Sequence, residues 1–555
     1  MALQRRRLYL FGAILAILAL LALGLQWGVR SYLRPRIGAL LQRIIVDGSD
    51  SLYRFSQSSC QVDLWTGSLA LQDCTLSLDS TRYVARLDGG GLPPLTVVMH
   101  LREIRVSGLK VWTWLFHKRV DCGRLVLVGA EVSLYRHPGF KRNGGVKGPP
   151  TDLYSLIQPL VRSIRVGEVL LGDVRVAYDN GDSARPFRWA FQRCDLRLRD
   201  ILVDSSTVSD DTRFAYARSF TIGMEKVSML VGRQLYRINL GKLTYDFGAR
   251  QALLSDFSLQ SVQDAPAFYR AVGHETDRYS LHVSKVSLGG LDIEELLLYN
   301  FLHADTVNLL APSVTISHDR TLPFAPREKQ GNYPNQLVLK APLDILVRKI
   351  HTEGGRISYA EKNAKTQRTG TLTFEGVNGL ISNMTNVPEA IARDPWWTVG
   401  LHASFMGQSP VAALFSFDLR NTSGRFEVKA HLEDLDAPAL DPLTQALAST
   451  SLSSLHVDSL ETQMEGDEHG ARASVRMRYD HLRVELLRPH GLSKKPLLSM
   501  LANGFLVRAD NPGSGAPERV ARDVSQPKDP YKSFFNLIWK TLYAGVREIA
   551  VKPLF

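Results

Sequence analysis

From Ser58 onward the apolar residues recur every second position. Cys60, Val62 and Leu64 alternate with polar residues, Thr66 and Gly67 turn the chain, and Leu69 and Leu71 alternate back. The habit returns at Leu281, Val283, Val286 and Leu288, at Leu372 and Phe374, and at Val475, Met477 and Tyr479. One face of each strand is apolar; the other carries Arg, Lys, Ser, Thr, Asp or Glu. This pattern predicts a mainly β protein, an antiparallel sheet wet on one side. Its greasy face must close on itself, meet a second sheet, or line a trough, and periodicity alone does not choose among them. Helical spacing is confined to short patches at 36–55, 108–117, 290–300 and 438–448, with a longer one at 529–553. Pro- and Gly-rich loops fall at 139–152, 321–342 and 509–530.

The beginning of the chain differs. Arg5, Arg6 and Arg7 precede an uncharged apolar run over 8–29, and Arg30, Arg34 and Arg36 follow it. As a helix the run spans roughly 33 Å, enough to cross a hydrocarbon core. The compact Arg triplet places the N-terminus in the cytoplasm and the body beyond about residue 37 outside it. The rival reading is a cleaved signal peptide. Its best cleavage site, Ala22-Leu23-Gly24, is poor, and the apolar run continues past it. No second run of this kind follows, so the expectation is a single-pass anchor.

Sliding the chain by 182 residues superposes two apolar patterns. Val106, Gly108 and Leu109 fall on Leu288, Gly290 and Leu291; Leu125 and Leu127 on Val307 and Leu309; Val132 and Leu134 on Val314 and Ile316. In both copies the apolar parity breaks between the two strand halves, at Gly129-Ala130-Glu131 and Ala311-Pro312-Ser313, which predicts a bulge or kink. After a one-residue adjustment Val176 and Tyr178 fall on Ile357 and Tyr359. The unit is strand, short helix, strand, linker and further strands, and such units extend a sheet by repetition.

The chemistry of the chain is sparse. The fourteen His lack metal-ligand spacing, and H-E-x-x-H, C-x-x-C and Walker A motifs are missing from the sequence. Gly241-Lys242 lacks the flanking residues of a P-loop, and Gly181-Asp-Ser183-Ala-Arg185 lacks the second Gly of a nucleophile elbow. Asp467-Glu468-His469 reads as a hairpin tip and Asp210-Asp211 as a loop. Trp112, Trp114, Trp396 and Trp397 suit core packing or a membrane interface. Cys60 and Cys74, almost symmetric about the Thr66-Gly67 turn, are either a disulfide pair or two small buried hydrophobes. The net charge of +12 is spread along 555 residues without a run of five basic residues. It suits an anionic membrane surface at least as well as nucleic acid, which is not expected as a partner. In the last segment Phe535, Ile538, Trp539, Leu542, Val546 and Ile549 share one helical face, for a membrane surface or for the sheet. No enzyme activity and no cofactor is expected.

Several of these stretches together resemble the AsmA-like family of Gram-negative envelope proteins, relatives of bacterial bridge-like lipid-transfer and translocation-and-assembly proteins. They are the Arg-flanked anchor with the first hairpin at 62–78, the unit from Ile104 through Leu134, and the C-terminal stretches Gly424–Val428, Asp441-Pro442-Leu443 and Arg478–Leu487. The resemblance implies an elongated, repeat-built β-groove, apolar inside, anchored in the inner membrane with a periplasmic body. It implies work in moving phospholipid toward the outer membrane or in supporting outer-membrane assembly. Under this reading the chain divides into an anchor (1–37), two groove units (38–200 and 201–385), a C-terminal β region (386–508), a linker (509–528) and an amphipathic helix (529–555). The acyl-chain candidates are Leu125, Leu127, Val132, Leu134, Val307, Leu309, Val314 and Ile316. The membrane-surface candidates are Phe535, Ile538, Trp539, Leu542 and Val546. The alternative is a non-enzymatic scaffold that holds partner strands along its sheet edges.

Overall fold

The computed structural model describes residues 45–552 apart from 47–48, 64–66, 90, 111–112, 114–116, 138–153, 155–157, 159–160, 182–187, 209, 211, 214–215, 233, 326–327, 489–493, 497–498, 500–502 and 504–505. The expected anchor at 8–29, Trp112 and Trp114 lie outside the described residues. Among the described residues no helix is long and apolar enough to cross a membrane. The chain is mainly β, with its strands in one large mixed sheet, and it forms two compact units. The first runs to Val227 and adds Gly241–Leu253 and Gly289–His303; the second holds Ser228–Leu240, Leu254–Leu288 and Ala304 onward.

In the first unit the early hairpin forms as its alternation predicts. Ser59–Asp63 pairs antiparallel with Ser68–Leu78, which pairs onward with Leu95–Ser107, itself paired with Arg119–Arg136. The next neighbour, Ser163–Asp179, runs parallel to Arg119–Arg136, and Arg188–Val203 and Ala217–Val231 continue antiparallel. The parity break at 129–131 is a kink without an inserted residue. The ladder is interrupted at Arg102 and Gly129 and resumes in the same register, from Glu103↔Val128 to Leu101↔Ala130, and Gly129 sits at φ 64°, the left-handed region. A Cβ there would come within 2.9 Å of the Arg102 guanidinium, so the site favours glycine on two counts.

The second unit repeats the plan. Asp277–Gly289 pairs antiparallel with Ser313–Asp319, which runs parallel to Asp344–Lys362. The first copy's strand Arg119–Arg136 is matched by two strands, Phe301–Leu310 and Ser313–Asp319, parted at the expected break, and the parallel pairs correspond. Leu134 lies beside Tyr178 in the first parallel pair, and Ile316 beside Tyr359 in the second. The all-antiparallel expectation is therefore corrected to a mixed sheet. Period two reports which face a side chain takes and nothing about strand direction. The long connections at 137–162 and 320–343 supply the reach that a parallel return requires.

From Asp344–Lys362 the second unit proceeds as an antiparallel meander through Thr369–Thr385, Trp396–Phe405, Ser409–Asp418, Phe426–Asp436, Thr450–Gly466 and Gly470–Leu486. It ends on Val520–Pro527, inside the stretch expected to be linker. Only Val520, Ala521 and Val524 give that strand an apolar face, too thin a signal among Arg, Asp and Gln. The helix Asp441–Ala448 touches both Thr369–Thr385 and Thr450–Gly466, strands four places apart, so this part of the sheet curves around it. Thr366 Oγ1 donates to the Ala446 carbonyl at 2.6 Å and fixes the contact.

Candidate functional site

The second unit has an apolar face and a polar face, set by parity. Successive ladders align one transverse row of that apolar face: Leu281, Val314, Ile357, Phe374 and Phe405 lie abreast on five neighbouring strands. All five are half-buried, and the Phe374 and Phe405 rings are 5.4 Å apart. Leu401 and Ala403 on the strand of Phe405, and Val411 and Ala413 on the next, continue the half-buried surface. Farther along the meander the same face is filled. Val428, Met464, Ala473 and Val475 are buried, and the helix Phe534–Ala550 packs on the last two strands.

Both ends of this surface have distinct chemistry. At one end, Tyr333, Trp397, Phe417, Phe426 and Phe534 form an aromatic plug. The Phe534 ring is 5.0 Å from Tyr333 and 4.9 Å from Phe426. At the other end the rows turn polar in two steps. Tyr279, Ile316, Tyr359 and Leu372 lie abreast, and beyond them Asp277, His318 and Glu361. His318 Nδ1 is 2.8 Å and Lys329 Nζ 3.2 Å from the Asp277 carboxylate, and Arg320 Nε is 3.0 Å from Glu361. The tyrosines face both ways. The Tyr359 hydroxyl donates to Glu361 at 2.8 Å and the Tyr279 hydroxyl to Asp277 at 3.4 Å, while their rings adjoin the apolar rows. Burial, then the Glu361 carboxylate, raises the Tyr359 phenol above its ordinary range; Tyr279, 43% exposed, is raised by partial burial and then by Asp277. Burial works against ionised Asp277, but the His318 hydrogen bond and the Lys329 charge outweigh it and hold the carboxyl down to about 2. The result is a strip graded from hydrocarbon through phenol to charge.

The candidates read from sequence separate by copy. Leu125 and Leu127 are fully buried, Val132 is buried and Leu134 packs against the same core, so the first copy's face is occupied by protein. In the second copy Val307 is buried, while Leu309, Val314 and Ile316 are half-buried. Val314 and Ile316 belong to the graded strip. Sequence reasoning missed the polar end because Asp277, His318 and Glu361 lie far apart along the chain. The signal was present in parity: each is a charged or titratable residue at the apolar phase of its strand, two residues beyond Tyr279, Ile316 and Tyr359.

Cys60 and Cys74 are not disulfide-bonded. The register sets Cys60 opposite Leu71, three residues short of Cys74, and burial pushes the Cys74 thiol up to about 12. Asp467–His469 is a hairpin turn, but a docked one: the Tyr333 hydroxyl donates to the Asp467 carbonyl and Gln336 Nε2 to Glu468, both at 3.0 Å. Trp397 is a core residue stacked on Phe417 at 4.8 Å. On the polar face an open depression of about 790 Å³ crosses the meander, lined by Lys429, His431, Glu461 and Arg476 among others. Its mixed charges are those of a solvated sheet surface. Among the described residues no cluster of His, Cys, Asp or Glu has the makings of a metal site.

The terminal helix lies over the strands, but not by the stripe expected. Phe534, Leu537, Thr541, Gly545 and Ile549 are buried on the sheet side, Ala550 is buried at the end of the helix, and Ile538, Leu542 and Val546 are half-buried. Phe535 and Trp539 are exposed. The chain matches no known family and no curated protein.

Proposed function

We propose that the graded face of the second unit binds an acyl chain of an amphipathic lipid. The row of Leu281, Val314, Ile357, Phe374 and Phe405 carries this reading: five adjacent apolar side chains are left half-buried, while the same face is packed farther along the meander, at Val428, Met464, Ala473 and Val475. Covering such side chains is worth on the order of 1 kcal/mol each. Hydrocarbon suits the task because it asks for no hydrogen bonds. The Asp277–His318–Glu361 row is too polar for hydrocarbon and marks where the tail strip stops. Tyr279 and Tyr359 form the transition, as amphipathic rings do.

The cellular setting follows from the resemblance to AsmA-like proteins and from the apolar run at 8–29. The chain is an inner-membrane-anchored envelope protein with a periplasmic body, and its lipid site serves phospholipid movement toward, or assembly of, the outer membrane. The repeated parallel-strand unit supports a sheet built by extension. The test is to purify the full chain, extract it, and quantify phospholipid by mass spectrometry. Wild type retains phospholipid, and Ile357→Asp with Phe374→Asp loses most of it while keeping the far-ultraviolet dichroism. Wild type free of phospholipid, or a double variant that retains as much, overturns the proposal.

A further inference from the structure

The terminal helix Phe534–Ala550 buries one side on the strands Gly470–Leu486 and Val520–Pro527. Gly545 lets it approach closely: a Cβ there would lie 2.4 Å from Val475 Cγ2. With one side so fixed, the opposite side is presented rigidly to the surroundings, and its composition is unusual for a solvated face. Phe535, Trp539 and Tyr543, spaced four apart, are 60%, 51% and 54% exposed. The Trp539 and Tyr543 rings stack at 6.2 Å. The charges on that side are all positive, from Lys540 and Arg547, with Lys532 just before the helix; Lys540 and Arg547 are exposed. The acid of the helix, Glu548, falls about 140° around the axis from Tyr543.

An exposed aromatic ridge flanked only by cations fits one kind of surface well. Trp and Tyr favour the boundary between headgroups and acyl chains, where the ring meets hydrocarbon and the polar atom stays wet. Lys and Arg beside them gain from anionic headgroups. A protein groove would cover the rings equally well but gives no reason for the single sign of charge. We infer that the outward face of the terminal helix, centred on Trp539 and Tyr543, docks on an anionic bilayer surface. The inference stands on residues separate from the graded strip and does not depend on it.

The test presents the full chain to vesicles whose acyl chains carry bromine, which quenches tryptophan emission on contact. Vesicles of phosphatidylcholine alone are compared with vesicles containing phosphatidylglycerol. Wild type shows a component of quenching with the anionic vesicles that Trp539→Phe lacks, and high salt reduces it. Lys540→Gln with Arg547→Gln cuts that component at least twofold. Trp539→Phe keeps an aromatic ring at an exposed site, so its fold is preserved, and an unchanged dichroism spectrum checks this. Equal quenching of wild type and Trp539→Phe overturns the inference, and so does quenching at Trp539 that is indifferent to lipid charge, the result expected of a plain apolar docking face.

Discussion

Asp277 and His318 sit directly opposite each other on neighbouring antiparallel strands, with His318 Nδ1 2.8 Å from an Asp277 carboxylate oxygen. Lys329 Nζ approaches the second oxygen at 3.2 Å, and the carboxyl is held down to about 2. A carboxyl whose folded pKa is depressed contributes stability above its unfolded pKa, and loses it as pH falls through the folded value. The shift from 3.8 to about 2 corresponds to about 2 kcal/mol. Urea unfolding of wild type and Asp277→Asn will therefore differ by about that amount at neutral pH. The gap closes between pH ~4 and ~2. A gap constant through that window contradicts the assignment.

Phe534 and Phe535 are adjacent and opposite in fate. Phe534 is buried against Tyr333 and Phe426, whereas Phe535 is 60% exposed. Phe534→Ala will destabilise the second unit by about 3–5 kcal/mol through the cavity it opens. Phe535→Ala will stay within about 0.5 kcal/mol of wild type. Chemical denaturation of both variants is the check, and comparable losses would refute the observed helix rotation.

The helix approach at Gly545 gives a coupled prediction. Gly545→Ala places a methyl 2.4 Å from Val475 Cγ2, and the overpacking costs about 1–3 kcal/mol. Val475→Ala removes the closest contact, the Cγ2 methyl, and leaves only Cβ at 2.8 Å, so the double variant will be more stable than the two single losses predict. A double-mutant cycle measures the coupling, and strict additivity would place the helix elsewhere.

How much of this was legible beforehand depends on the physics behind each signal. The repeat was legible because side-chain parity survives in sequence: Leu134 and Ile316, and Tyr178 and Tyr359, hold equivalent places in the two parallel pairs. Strand direction was not legible, since parallel and antiparallel ladders share a period of two. The face of the terminal helix was misjudged because its apolar surface is wider than the strip it buries. Thr541 and Gly545 face the sheet for fit, while Phe535 and Trp539, far more hydrophobic, stay outside. The graded strip escaped notice because register, a long-range property, joins Asp277 to His318 and His318 to Glu361. The emptiness or filling of an apolar face also lies beyond pattern: Leu127 and Val314 read alike in sequence, yet one is fully buried and the other half-buried.

The most direct test of the lipid strip is a photo-crosslinking amino acid placed singly at Phe374, at Leu127 and at Thr373, in the full chain within living cells. Phe374 lies on the half-buried row, Leu127 in the packed core of the first unit, and Thr373 on the opposite face of the strand. The account predicts phospholipid adducts at 374 and none at 127 or 373. Adducts at 374 made only with protein, or lipid captured equally at all three positions, would contradict it.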